Sequence, residues 1–127
     1  MKVGISFGGQ EWERGAAFVQ EAEKLGVDSV WTAETWGFDA ATPIGYLAAK
    51  TEKIRLGTGI LQLGSRSPAM LAMTAMTLNS MSKGRFTLGL GASGPQVVEG
   101  WHGVPFARTL PRIRDAVNIV RMASRGE

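Results

Sequence analysis

Apolar residues fall into short runs that alternate with amphipathic stretches. Lys2 to Phe7 is an apolar run closed by Gly8-Gly9, which predicts a buried strand ending in a turn. Trp12 to Leu25 carries Ala16, Phe18, Val19, Ala22 and Leu25 as the apolar face of a helix, and Gly26 supplies its stop. Ser29 to Ala33 is the second strand. Thr42-Pro43 reads as an N-cap with proline at the first helical position, and that helix runs to about Glu52. Ile54 to Leu61 is the third strand. Ser67-Pro68 repeats the cap and proline, and the third helix ends near Lys83-Gly84. Arg85 to Gly91 is the fourth strand. A loop rich in Gly and Pro follows, and a last helix runs from near Ala107 to about Met122.

The strands begin near residues 2, 29, 54 and 85. That spacing of roughly 30 residues is the size of a βαβ unit. Alternation of this kind predicts a parallel sheet covered by helices, with right-handed crossovers. A barrel and an open doubly wound sheet both satisfy it. Either one places ligands at the carboxyl ends of the strands.

Composition narrows the chemistry. The 127 residues are 44% hydrophobic with a net charge of +3, too small an excess to argue for nucleic acid or a membrane surface. There is no cysteine. Disulfides, thiolate metal sites and a cysteine nucleophile are thereby excluded, and a reducing cytoplasm is the expected compartment. No stretch approaches a membrane span, and the Lys2–Phe7 run is too short for a signal peptide.

The strand ends carry Gly8-Gly9, Glu34-Thr35-Trp36, Gly59-Ile60-Leu61-Gln62 and Gly91-Ala92-Ser93-Gly94. Glu34 to Asp39 reads either as a pocket wall, with Trp36 as a stacking surface and Glu34 or Asp39 as a polar anchor, or as a packed Trp with a capping Asp. Gly57-Thr58-Gly59 interrupts a strand, which suggests a bulge or a packing glycine. Gly89-Leu90-Gly91-Ala92-Ser93-Gly94 matches the G-x-G-x-x-G spacing. It lacks the helix that should start at the second glycine, so a dinucleotide site is disfavoured. His102, the only histidine, has no second strong metal ligand near it in sequence, and no metal site is expected. A structural hydrogen bond fits it better than acid-base work. Met70, Met73, Met76 and Met81 read as core filler. Arg108, Arg112, Arg114, Arg121 and Arg125 read as a solvated face or a contact surface.

Three segments together resemble the bacterial luciferase-like superfamily. They are Val30-Trp31-Thr32-Ala33-Glu34-Thr35-Trp36-Gly37, Leu56-Gly57-Thr58-Gly59-Ile60, and Ser80-Met81-Ser82-Lys83-Gly84-Arg85-Phe86 with Leu88-Gly89-Leu90-Gly91. The run from Ser93 to Phe106 is similar to the branch that uses the deazaflavin coenzyme F420. The resemblance implies a TIM (β/α)8 barrel, with residues 1–127 forming its first four βα units as the N-terminal half of a single domain. It also implies a non-proline cis peptide at Gly59-Ile60 behind the cofactor ring.

By the same resemblance Glu34, Thr35 and Trp36 line the ring face, and Gly59, Ile60 and Leu61 form its backing. Gly91, Ala92 and Ser93 then meet the pyrimidine end or the phosphate-bearing tail. Luciferases carry a catalytic histidine at the position of Thr35 and a reactive cysteine at that of Gly91, and both departures turn the expectation toward hydride transfer. The implied function is an oxidoreductase moving hydride between coenzyme F420 and a small organic substrate. FMN-dependent monooxygenation is the alternative, and an inactive half barrel that needs its C-terminal half is another. A homodimer through helices of this half is the assembly the resemblance suggests.

Overall fold

The computed structural model describes residues 1–127. Its elements are β1 (Gly4–Ser6), α1 (Trp12–Lys24), β2 (Ser29–Thr32), α2 (Ala41–Lys50), β3 (Arg55–Thr58), β4 (Leu61–Gln62), α3 (Pro68–Met81), β5 (Phe86–Thr87), β6 (Leu90–Gly91), α4 (Pro95–Val98) and α5 (Thr109–Arg125). All strand pairs are parallel, in the order β1-β2-β3-β5, with β4-β6 as a smaller pair beyond them. The expected third and fourth strands are each broken in the middle. Both breaks fall at the same level, so β3 pairs with β5 below and β4 with β6 above. Thr58 bridges the interruption, its hydroxyl donating to the Gly89 carbonyl and accepting from the Gly89 amide, both at 3.1 Å. The Gly59–Ile60 peptide is cis.

One face of the sheet is buried against the helices. Val30, Leu56 and Ile54 meet Val19, Ile44, Leu47 and Leu78 in the main core. A second cluster of Ala40, Leu61, Leu71 and Ala116 sits between the upper strand pair and helices α3 and α5. The other face is the concave interior. Trp31 projects there, lying across Gly57, where an added Cβ would come within 2.4 Å of the indole. Gly57 is therefore a packing glycine against an indole, and the bulge lies two residues on.

Helix starts follow local chemistry. The Ser67 hydroxyl accepts from the Met70 amide at 3.1 Å, with Pro68 in the first turn, as the sequence suggests. Helix α2 starts two residues earlier than expected, at Ala41. Asp39 Oδ1 takes the amides of Ala41 and Thr42, both at 2.8 Å, so Asp39 does the capping assigned to Thr42. The loop before α5 contains the unforeseen one-turn helix α4.

Two packing expectations are corrected. Met70, Met73, Met76 and Met81 are 41–58% exposed. The core face of α3 is Leu71, Ala72 and Leu78, and the methionine stripe is rotated away from it. On α1 only Ala16, Val19 and Ala22 are buried, while Phe18 and Leu25 face outward. Phe18 is a full 100° step from Val19 on the helical wheel, and Leu25 lies past the last turn.

The Ser80–Phe86 segment has a clear structural purpose. Lys83 and Gly84 both adopt left-handed backbone (φ 54° and 83°), which turns the chain from α3 into β5. Arg85 then donates to the carbonyls of Ala48, Thr51, Ile54 and Ser82 and to the Thr51 hydroxyl, at 2.8–3.1 Å. One guanidinium thereby closes the end of α2 and anchors the start of β3.

Candidate functional site at the strand ends

The loops after β1 and β2, the upper strand pair and the 92–108 loop converge on the carboxyl edge of the sheet. The Ala33–Ala40 loop is tied back by the Thr32 hydroxyl, which donates to the Ala40 carbonyl at 2.7 Å. Within this loop Glu34 is the fixed point. Its side chain is 6% exposed and forms a two-pronged ion pair with Arg66. It also accepts from the amides of Ala40 and Gln62, both at 3.0 Å. Its oxygens face protein donors, so it joins the β2 loop to the β4 loop. Nothing in the sequence singled out Arg66. A lone arginine just before an N-cap serine is a faint signal, and only the fold brings it to Glu34.

Asp39 borders the same cleft. Burial works to raise its carboxyl, but the Thr42 amide and hydroxyl, the Ala41 amide and Arg66 outweigh burial and hold it below its ordinary value.

Thr35 and Trp36 stand free of the core. Trp36 is half exposed and meets Trp101 edge-on, ring centres 6.3 Å apart and planes at 82°. On the same edge Ile60 packs over Gly91 as an apolar shelf. The Ile60 side chain occupies the space a residue larger than glycine would need at position 91, with an added Cβ falling 2.5 Å from Ile60 Cδ1. Above Gly59 the concave face is open, since an added Cβ there would meet only Trp31, at 3.8 Å. The Leu61 side chain is fully buried in the second core cluster, so it offers this face only its main chain. The amides of Ile60, Ala92 and Ser93 donate to no protein acceptor. Ser93 is held in left-handed backbone with φ 60°.

Thus the strand-end residues named from the sequence lie at the carboxyl ends of the parallel strands, with Thr35 and Trp36 in the loop after β2 and Ile60 packed over Gly91. The Glu34 and Leu61 side chains are buried. A second group was undervalued in the sequence. Gln62 is 2% exposed, and its side-chain amide meets the His102 ring at 2.7 Å. With Thr35, Glu34, Arg66 and Trp101 these two line a cleft of about 210 Å3 beside the shelf. No cluster of three or more potential metal ligands forms, and no helix is long and apolar enough to cross a membrane.

A parallel α/β half barrel with an open, glycine-cut edge at the carboxyl ends of its strands is the architecture of a barrel enzyme's ligand-binding side. The chain belongs to the luciferase-like monooxygenase family, whose model matches residues 2–127. It is 48% identical over 124 residues to a Mycobacterium tuberculosis protein provisionally named as a coenzyme F420-dependent oxidoreductase, covering 95% of this chain and 36% of that protein. Among solved structures it superposes on the monooxygenase RslO1 from Streptomyces bottropensis with a TM-score of 0.85, at 26% identity over 96% of this chain and 42% of that one. It also superposes on an F420-dependent secondary alcohol dehydrogenase bound to an F420-acetone adduct, with a TM-score of 0.74, at 27% identity over 96% of this chain and 42% of that one. The chain therefore spans about two fifths of the length of these relatives. Its four βα units correspond to half of a luciferase-like TIM barrel.

Proposed function

We propose that this chain builds the ring-facing side of a coenzyme F420 site in an oxidoreductase that transfers hydride between the deazaflavin and a small organic substrate. The observation that carries the reading is the shelf of Ile60 over Gly91. It offers an apolar surface to a planar ring, bordered by main-chain donors that have no protein acceptor. The choice of deazaflavin rests on the M. tuberculosis relative and on the dehydrogenase named above.

On this reading Gly59, Ile60 and the main chain of Leu61 back the ring. Gly91 leaves room for Ile60, and the amides of Ala92 and Ser93 meet the ring's polar edge or the tail. Thr35 and Trp36 cover the opposite side. Glu34 keeps its loop in place through Arg66, so its contribution is orientation. The bound cofactor supplies the hydride chemistry, and the protein supplies orientation and shelter from water. Residues 1–127 then form the N-terminal half of a single barrel domain in a cytoplasmic protein that pairs as a homodimer. A second reading, in which turnover requires a complementary half barrel, is favoured by the topology, because β1 and β5 each keep one unpaired edge.

Titrating the chain separately with coenzyme F420 and with FMN, followed by fluorescence, tests the cofactor. Deazaflavin binding that weakens in Gly91→Val supports the proposal. FMN binding with no deazaflavin binding replaces it with flavin-dependent monooxygenation. Adding a separately expressed C-terminal half from a relative tests the second reading through gain of turnover.

A further inference from the structure

A second space opens at the strand ends, between the loop after β1 and the loop after β2. It holds about 270 Å3, and Phe7, Trp12, Trp36 and Phe38 give it aromatic walls. The Trp12 ring meets Phe7 at 5.8 Å between centres and Phe38 edge-on at 5.1 Å. Phe7 is seated against α1, where an added Cβ at Gly15 would fall 2.7 Å from its ring. Trp36 and Phe38 are each 53% exposed. Two large rings in one short loop thus leave half their surface uncovered beside a shared cavity, and covering such surface is favourable. Gly8 and Gly37 line the same space. Neither has left-handed backbone, and an added Cβ at either meets no protein atom within 4 Å. No protein group claims the room beside them.

The polar side chains at the wall are few and mostly engaged. The Thr32 hydroxyl donates to the Ala40 carbonyl at 2.7 Å. Asp39 is the one charged residue lining the pocket. Its Oδ1 is occupied by two α2 amides and lies 3.8 Å from Arg66. Thr35 is the remaining hydroxyl. A cavity with aromatic walls and a single such group suits a neutral, ring-bearing molecule. It would desolvate a charged one and return no counter-charge. Thr35 and Trp36 are also the residues assigned above to the open side of the cofactor ring, so the space adjoins that seat.

We propose that this pocket receives the organic substrate, and that it selects a neutral molecule whose aromatic ring packs among Trp12, Trp36 and Phe38. Binding in the pocket stands on its own geometry. Its role as the substrate subsite rests on the cofactor reading above, which puts the reacting ring against Thr35 and Trp36. Phe38 is then a specificity-determining residue, and Gly37 keeps the space beside it free of a side chain.

The chain has 4 tryptophans, so 15N labelling gives a small set of indole N–H signals. The variants Trp12→Phe, Trp31→Phe and Trp36→Phe assign the ones that matter. Coumarin, neutral and flat, serves as the probe. It is expected to shift the Trp12 and Trp36 signals and to leave Trp31, whose indole N–H donates to Ser29, in place. Coumarin carboxylate should bind at least about ten-fold more weakly. Phe38→Ala and Gly37→Leu should each weaken coumarin binding about ten-fold, with melting temperatures near wild type. Unchanged coumarin affinity in both variants overturns the proposal, as does equal affinity for the carboxylate. Coumarin should still bind with coenzyme F420 present. Displacement of one by the other overturns the substrate role and makes the pocket part of the cofactor's seat. A wild-type chain that binds no F420 sinks the cofactor reading instead. The tryptophan signals, recorded without cofactor, then decide the pocket by themselves.

Discussion

Ile60 and Gly91 share one volume: the isoleucine side chain lies where a side chain at position 91 would begin, 2.5 Å from the ideal Cβ. The two residues come from different βα units and meet because β4 and β6 run side by side, with Leu61 opposite Leu90 and Gln62 opposite Gly91. Gly91→Ala should turn Ile60 off the shelf at a cost of about 1–2 kcal/mol in stability and weaken deazaflavin binding about ten-fold or more. Ile60→Ala should remove most of the extra penalty of Gly91→Ala, giving a coupling of roughly 1 kcal/mol or more in a double-mutant cycle. Additive effects in urea unfolding would show that the two side chains do not compete.

The Glu34–Arg66 pair is nearly enclosed, at 6% and 15% exposure. Removing one partner leaves a buried charge unpaired, so Glu34→Ala should cost about 3–5 kcal/mol. It also strips the acceptor from the Ala40 and Gln62 amides. The double variant Glu34→Leu/Arg66→Met should lose clearly less than the sum of the single changes. Chemical denaturation of the four proteins gives the answer directly.

Glu23 gathers the amides of Glu52, Lys53 and Ile54 at 2.6–3.2 Å, pinning α1 to the start of β3. Burial pushes its carboxyl up, but these three amides and Arg85 outweigh burial and hold it below its ordinary 4.5. A lowered folded value means stability that is present above the unfolded value and lost as pH falls through the folded one. Glu23→Gln should therefore cost about 1–2 kcal/mol near neutral pH, and the gap to wild type should close in acid. Melting curves across pH 3–7 would expose a constant gap if the carboxylate charge were irrelevant.

Arg85 makes five hydrogen bonds from one planar group. Lysine offers three donors from a single point and cannot span the same carbonyls. Arg85→Lys should lower stability by about 2–3 kcal/mol, nearly as much as Arg85→Met. A lysine variant with wild-type melting temperature would show that charge alone suffices there.

Gly89 is less forgiving than Gly91. A Cβ there would lie 1.9 Å from the Thr58 carbonyl oxygen, which is main chain and cannot rotate away. Gly89→Ala should separate the upper strand pair and cost more than about 3 kcal/mol, which thermal unfolding would register as a large drop.

Much of this protein was determined along the chain itself. The alternation of apolar runs and amphipathic stretches defines four βα units, because a parallel crossover needs a covering helix each time. Ser67-Pro68 and Lys83-Gly84 mark boundaries through local backbone chemistry, and the structure uses them as such. The candidate edge was legible too, since strand ends in a parallel sheet share one side. Tertiary structure alone decided what those ends do. Whether a methionine stripe faces core or solvent depends on how α3 is rotated against its neighbours. Asp39 rather than Thr42 caps α2 because loop closure by Thr32 and Ala40 sets where the helix begins. Glu34 reads as a site carboxylate in isolation, and only Arg66, 32 residues away, turns it into a strut. The shelf follows the same rule. Gly91 and Ile60 carry no sign of one another in the sequence, because their relationship is a shared volume that exists only once two broken strands lie side by side.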